Sequence, residues 1–445
     1  MGTMFARTSL SGFPEWLPAG RIVEQYVLDH LRRVFELHGF APLHTRSVEP
    51  VGELQRKGET SKEVYVLSRI HDPQAEVTDK TLGLHFDLTV PFARYVLENR
   101  AQLAFPFKRY QIQHVWRGER PQEGRYREFI QADIDVVGDG TLPFHYEVEL
   151  PLIMHEALSS LPIPPVTIMV NNRKIVQGFC EGIGVSDVEG ALRAIDKLAK
   201  IGPAGVKAVL AESGIGEAEA EKLLQLAAIR GKGDDVIAAI EALGVENDML
   251  SEGLEQLQAV LVAAQKRAPS AVEADLSITR GLDYYTGTVY ESKVAGHEDL
   301  GSICSGGRYD SLACDGKRFY PGVGMSIGVS RLLSRVVGEQ MLVASRQVPT
   351  CVLVAVANED TRAASDDVAH LLRQRGIPTE VSPSASKFGK QIKYADKRGI
   401  PFVMFLDEDG QVAVKDIRTG EQTAVDPATW EPPAADRQVQ VSARS

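Results

Sequence analysis

Between Cys180 and Asp283 the chain contains no Phe, Trp or Tyr, although rings are frequent on both sides. The stretch is rich instead in Ala, Leu, Glu and Gly, and its apolar residues recur at helical spacing. Ser186 and Glu189 stand at capping-box spacing, followed by Leu192, Ile195, Leu198 and Ala199 on one face. Glu217–Arg230 reads as a second helix closed by Gly231, and Glu252–Lys266 as a third with Leu254, Leu257 and Leu261 in register. Residues 175–270 are therefore expected to form a small helical insertion inside a fold of different character.

That surrounding fold reads as mixed. Residues 21–40 carry Ile22, Tyr26, Val27, Leu31, Val34 and Phe35 at helical spacing, with Gly39 as a stop. Phe40–Glu53 is extended, interrupted by Pro42 and Pro50, and Leu82–Val137 reads as short strands and loops. Asp133–Val137 alternates polar and apolar, the period of a half-buried strand. Strand-like runs resume at Thr288–Glu291 and Val323–Val329, with a helix from about Ser330, as if an antiparallel sheet continued after the insertion. From Pro349 strands alternate with helices: Cys351–Ala357, Thr361–Arg375, Phe388–Arg398, Pro401–Leu406 and a hairpin over Gln411–Val425 turning at Thr419–Gly420. This pattern predicts a compact α/β unit with a partly parallel sheet. The polar tail after Trp430 is expected to fray.

Composition narrows the function classes. A chain of 445 residues has room for two to four domains. With 60 acids against 49 bases, a net charge of −11 gives no general positive coat for DNA, although a local basic face can still operate. Cys180, Cys304, Cys314 and Cys351 are far apart without a CxxC pair, which disfavours a disulfide framework or a structural zinc site, and no direct metal motif occurs. No apolar run approaches about 18 residues, and the first residues lack a signal-peptide core, so a cytoplasmic protein is expected.

Nucleotide-loop signatures are missing. There is no P-loop, and Gly322, Gly324 and Gly328 are spaced unlike the dinucleotide fingerprint. Phosphate chemistry would then need side-chain cations. Phe107–Phe129 supplies the densest group, with Lys108, Arg109, Arg117, Arg120, Arg125 and Arg127. Phe129 could cover a purine, and Gln131 and Asp135 share its strand parity, so one face offers a ring, an amide and a carboxylate. Three further clusters are Thr279–Glu291 with Arg280, Tyr284 and Tyr285, then Ser305–Asp310 (SGGRYD), then Gly322–Leu332 with Arg331. Each has a plainer reading: a solvated charged hairpin, aromatic core packing, or a strand with glycines.

Taken in order, these pieces resemble a class II aminoacyl-tRNA synthetase, and within that class the histidyl-tRNA synthetase family. Gly39–Phe40 with Pro50 resembles motif 1, Arg117–Glu119 with the loop to Phe129 resembles motif 2, and Gly322–Arg331 resembles motif 3. The blocks Arg280–Tyr285 and Gly306–Asp310 are specific to the histidine enzyme, and Asp87–Arg94 is similar to the form in eukaryotic-type members. His85, Gly118 and Ser311 depart from the usual pattern. The resemblance covers about residues 10–425. It implies an α+β fold: an antiparallel sheet core with helices, a helical insertion domain and a C-terminal α/β anticodon-binding domain. Its divisions would be residues 1–174 and 271–345 for the catalytic core, 175–270 for the insertion, 346–430 for the anticodon-binding domain and 431–445 for the tail.

The resemblance also implies a homodimer that joins L-histidine to tRNA(His), with ATP and Mg²⁺ as cofactors. Arg117 and Arg331 would bind ATP phosphates, Phe129 would stack on adenine and Glu119 would hold its amino group. Arg280, with Arg117, would act at the α-phosphate. Asp87, Thr89 and Gln131 would take the substrate α-ammonium, while Asp135, Tyr284 and Tyr285 would read the imidazole. Lys387, Lys390, Lys393, Lys397 and Arg398 would offer a basic face to tRNA, the plainer reading being a solvated lysine surface. The alternative within this resemblance is a catalytically silent relative, the regulatory subunit of ATP phosphoribosyltransferase. Such relatives lack the C-terminal domain and tend to lose the Arg280-type block, and this chain keeps both.

Overall fold

The computed structural model describes residues 9–55, 63–71, 76–269, 271–279 and 285–444. Contacts divide the chain into two units, one centred on Leu28–Arg335 and the other formed by Glu15–Val27 with Val336 onward.

The first unit begins with strands β1 (Ala41–Pro42) and β2 (Val48–Pro50). Helix α1 (Pro18–Leu37) precedes them and spans the division between the units. It buries Val27, Leu31, Val34 and Phe35, the stripe that its sequence spacing predicts, and Gly39 at φ 76° turns the chain out. Short helix α2 (Val51–Leu54) and strand β3 (Leu82–Leu84) lead to α3 (Thr89–Asn99). Long strands β4 (Phe107–Trp116) and β5 (Glu128–Val137) then pair along their whole length, and α4 (His145–Ser159) follows.

Strand β6 (Val166–Asn172) opens onto the helical block: α5 (Arg173–Gly182), α6 (Val188–Asp196), α7 (Leu198–Glu212), α8 (Glu217–Ala228), α9 (Asp234–Glu241) and α10 (Asp248–Arg267). Strand β7 (Arg230–Gly231) lies within it, and β8 (Val272–Asp275) closes it beside β6, with Ile168 opposite Val272 in parallel register. The insertion therefore leaves and returns through adjacent strands. Its local punctuation differs from the sequence reading. Asp187, not Ser186, caps α6, because its Oδ1 takes the Gly190 N–H at 2.9 Å. Gly231 is not a helix stop; it pairs with Ala274 as an edge-strand residue. Gly202, at φ 70°, breaks α7 ahead of Pro203. Asn247 caps α10 through the N–H groups of Met249 and Leu250.

Strands β9 (Tyr285–Val294), β10 (Cys304–Tyr309) and β11 (Gly322–Gly328) return to the sheet, and α11 (Val329–Gly338) follows. The sheet order is β1-β4-β5-β11-β10-β9-β6-β8-β7, antiparallel at its centre. Strand β5 is buried on both faces from Ile130 to Val137, not on one as its alternation suggested. The apolar face meets the core, while the polar face is covered by the residues that build the site below.

The second unit carries β12 (Leu342–Ala344), β13 (Val352–Val354), α12 (Arg362–Gln374), β14 (Thr379–Val381), α13 (Phe388–Arg398), β15 (Phe402–Leu406), β16 (Val412–Asp416) and β17 (Gln422–Val425). Its sheet order is β14-β13-β15-β16-β17, with the first three strands parallel and the hairpin antiparallel. Buried Ala369 and Leu372 of α12 pack with one face, and Ala395 of α13 with the other. The polar tail forms α14 (Ala434–Arg437) and β18 (Val441–Ala443), where fraying was expected. Strand β18 pairs with β12, and Arg418 binds Asp436 at 2.7 Å, so backbone pairing and charge hold a segment with little apolar content.

Candidate active site

The site is built on one face of β5. Phe129, Gln131, Asp133 and Asp135 alternate onto it. Across the ladder, β11 sets Gly324 opposite Asp135, Ser326 opposite Asp133 and Gly328 opposite Gln131. These small residues leave a trough. A Cβ on Gly324 would stand 2.0 Å from Asp135 Oδ1, and one on Gly306 would stand 2.0 Å from the Gly324 carbonyl oxygen.

Two cavities lie along this trough. The first, of about 100 Å³, is lined by Arg117, Glu119, Phe129, Gln131, Ser326 and Arg331 among others. The Arg117 Nε donates to the Phe86 carbonyl at 3.0 Å, and its guanidinium lies 5.2 Å from the Phe129 ring centre. Arg117 Nη1 is 3.7 Å from Glu119. From the start of α11, Arg331 donates to the carbonyls of Gly124 at 3.1 Å and Ser302 at 2.7 Å. Burial lowers the Arg331 pKa, and the nearby positive charges of Arg125 and Arg117 lower it further. A group of guanidiniums that repel one another in a partly desolvated pocket favours a polyanion such as a triphosphate. The sequence-predicted set Arg117, Glu119, Phe129 and Arg331 thus converges on one cavity.

The second cavity, of about 30 Å³, is lined by Thr89, Asp133, Asp135, Tyr285, Tyr309 and Ser326 among others. Asp135 is fixed at both oxygens. Arg109 Nη2 lies 2.7 Å from Oδ2, and the Tyr309 hydroxyl donates to Oδ1 at 2.7 Å. Arg109 and Asp135 are both buried. A carboxylate so held keeps its direction, which suits a polar heterocycle. Gln131 bridges toward the first cavity and donates to Ser326 Oγ at 2.6 Å. Asp87 is buried just before α3, and its Oδ1 accepts the Val90 N–H at 3.1 Å. Thr89 is the first residue of α3 and reaches the second cavity. Arg280 and Tyr284 lie outside the described residues.

The sequence reading missed several members. Arg109 was grouped with the hairpin bases as a phosphate cation; it is instead the buried partner of Asp135. Register held the signal, because Arg109 faces Asp135 directly across β4 and β5. Tyr309 and Asp133 lay unassigned in quoted motifs. In the same SGGRYD block, Arg308 does not face the cavity chemistry: it is tied to Glu147 at 2.8 Å and Asp310 at 3.0 Å. Buried Glu147 also accepts from the Thr288 hydroxyl at 2.5 Å, locking α4 to β9. His85 is fully buried and bonds the His114 carbonyl at 2.7 Å; burial lowers its pKa, so it is a neutral packing residue.

In the second unit, Lys387, Lys390, Lys393 and Lys397 are exposed on and beside α13. Arg398 is committed to Glu380 at 2.6 Å and to the Tyr394 hydroxyl. Among the described residues no cluster of His, Cys, Asp or Glu could hold a metal ion by itself, and no helix is long and apolar enough to cross a membrane.

Known proteins share this architecture. A family model described as histidyl-tRNA synthetase matches residues 12–332, and one described as anticodon binding domain matches residues 350–430. The histidine–tRNA ligase of Micrococcus luteus is 57% identical over 99% of both chains. That of Cutibacterium acnes is 56% identical over 96% of this chain and 97% of its own. The crystal structure of histidyl-tRNA synthetase from a Nostoc species superposes with a TM-score of 0.83 at 36% identity, covering 95% of this chain and 97% of that one. With the family model spanning its sheet and insertion, and full-length relatives above half identity, the chain belongs to the histidyl-tRNA synthetase family.

Proposed function

We propose that the chain is a histidine–tRNA ligase: it joins L-histidine to ATP, giving histidyl-adenylate and pyrophosphate, and then passes the histidyl group to the 3′ end of tRNA(His). The observation that carries this reading is the continuity of the two cavities on one strand face. An arginine-lined pocket abuts a pocket whose Asp135 is fixed by Arg109 and Tyr309.

The roles follow the chemistry of each side chain. Phe129 offers a face to adenine and Glu119 an acceptor to its amino group, while Arg117 and Arg331 meet the phosphates, with Arg280 assigned to the α-phosphate. Asp87, Thr89 and Gln131 take the α-ammonium, and Asp135 with Tyr285 and Tyr284 reads the ring. The histidine carboxylate oxygen attacks the α-phosphorus as the bond to the β-phosphate oxygen breaks. No general base is required, since that carboxylate is already ionised at neutral pH. The protein contributes alignment and fixed positive charge. In the second step a terminal ribose hydroxyl of tRNA attacks the acyl carbon, and AMP and a proton leave. Mg²⁺ would neutralise phosphate charge; with no protein cage for it among the described residues, phosphate oxygens would supply most of its ligands. The exposed lysines of α13 give tRNA a phosphate-binding face, and the family's dimer completes the reading.

Pyrophosphate exchange into ATP across a panel of amino acids tests this directly. Exchange dependent on histidine is expected, and a folded protein that shows none with Mg²⁺ present would refute the assignment.

A further inference from the structure

Asp133 lines the second cavity opposite Ser326, which lines both cavities, and the roles above leave it unused. It lies two residues from Gln131 on one side and from Asp135 on the other, all on one face of β5. Alternate residues of a strand are about 7 Å apart. That is close to the span between the ring and the α-nitrogen of histidine. A substrate whose ring meets Asp135, and whose carboxylate reaches toward the arginines, must carry its α-carbon past Asp133. Thr89 and Ser326 line the cavity beside it.

The side chain is only 2% exposed, and its Oδ1 accepts no hydrogen bond among the described residues. The neighbouring Gln131 Oε1 is in the same condition. Buried acceptors left open in this way are rare, and an ammonium group carries three donors. The groups facing Asp133 are Arg109 from β4, Asp135 on its own strand, Asp87 ahead of α3 and the Ser326 hydroxyl from β11. Arg109 is already engaged by Asp135 at 2.7 Å. Burial, opposed by Arg109 and the Ser326 hydroxyl and helped by Asp135 and Asp87, pushes the Asp133 carboxyl up to about 7. In the empty cavity an ionised Asp133 would add a buried negative charge beside two others.

We propose that Asp133 is the charge-balancing partner of the substrate's α-ammonium, holding a proton in the empty cavity and releasing it to solvent as histidine binds. The neutral carboxyl becomes a carboxylate, its proton goes to water, and the incoming ammonium supplies the compensating positive charge. This rests on the histidine-site reading above.

The test is calorimetric titration of the full chain with L-histidine near pH 7, in MOPS and in Tris, whose different ionisation heats report the protons exchanged. Release of about half a proton per histidine is expected at a pH equal to the group's own value. Imidazole-4-propionate, which lacks the ammonium, should bind more weakly and release none. Asp133→Asn should bind histidine without the release. The native protein's affinity should also fall by about tenfold more than the variant's between pH 8 and pH 6. Unchanged release in Asp133→Asn, or equal release with the analogue, overturns the proposal. Infrared difference spectra of the native protein give an answer that needs no variant: a protonated-carboxyl band should vanish when histidine is added, and its persistence counts against the proposal. Absence of binding heat in both buffers would instead overturn the histidine-site reading itself.

Discussion

Gly324→Ala adds one methyl group and tests how the ring pocket is held. Gly324 sits opposite Asp135 in the β5–β11 ladder. The new carbon would lie 2.0 Å from Asp135 Oδ1 and 2.5 Å from its Cγ, so the carboxylate must move. Movement is costly because Oδ2 is 2.7 Å from Arg109 Nη2 and Oδ1 accepts from Tyr309 at 2.7 Å. Each such hydrogen bond to a charged group is worth about 1.5–3 kcal/mol. Were one of them lost from the binding-competent state, histidine affinity would fall by about ten- to a hundredfold. ATP affinity should change by less than about threefold, because Gly324 is not among the residues lining the first cavity. Calorimetry with each ligand, together with a melting curve, separates a blocked pocket from an unfolded protein. A folded Gly324→Ala protein that binds histidine as tightly as the native chain would refute the idea that a fixed Asp135 recognises the ring.

Three further outcomes are expected. Arg331→Ala should raise the KM for ATP by about tenfold or more, through loss of a charge-assisted phosphate contact, while histidine binding is kept; steady-state pyrophosphate exchange measures both. Asp133→Asn should stabilise the unliganded protein more at pH 8 than at pH 4. The native carboxyl titrates at about 7 rather than 3.8, so the native fold loses stability as pH rises through that window, whereas the amide does not. Paired melting curves at the two pH values check the sign. Lys390→Ala with Lys393→Ala should weaken tRNA binding and flatten its salt dependence without altering pyrophosphate exchange, as phosphate-contacting lysines do.

Much of the site was legible because strand parity is a reliable ruler. Phe129, Gln131 and Asp135 could be placed on one face by counting, and the structure brings them together along the trough. The bounds of α13, Phe388–Arg398, were also readable, since its apolar stripe is short and a glycine follows it. What escaped depended on partners distant in sequence. Arg109 looks like any other base in a charged hairpin until the β4–β5 register sets it against Asp135. Arg308 looks like a ligand-binding cation until Glu147, from a helix well before it, is seen to neutralise it. The tail offered no apolar pattern, and its pairing with β12 and the Arg418–Asp436 ion pair, both to partners distant in sequence, give it a place. The cap at Asp187 shows the same limit locally: adjacent Ser and Asp are both competent, and backbone geometry chooses between them.

The insertion has a consequence for how such a molecule can change. Its polypeptide departs from β6 and re-enters on β8, and those strands are hydrogen-bonded neighbours in parallel register. The block of roughly a hundred residues leaves at Asn172 and re-enters at Val272, opposite Ile168, so its ends are held on neighbouring strands, offset by four positions or roughly 13 Å along them. Its helices α5 and α10 also pack against β6 and β9, so it is the helices between those two that can lengthen, shrink or be swapped with least effect on the trough on β5. A lineage could remodel this appendage repeatedly while the chemistry a few strands away stays fixed.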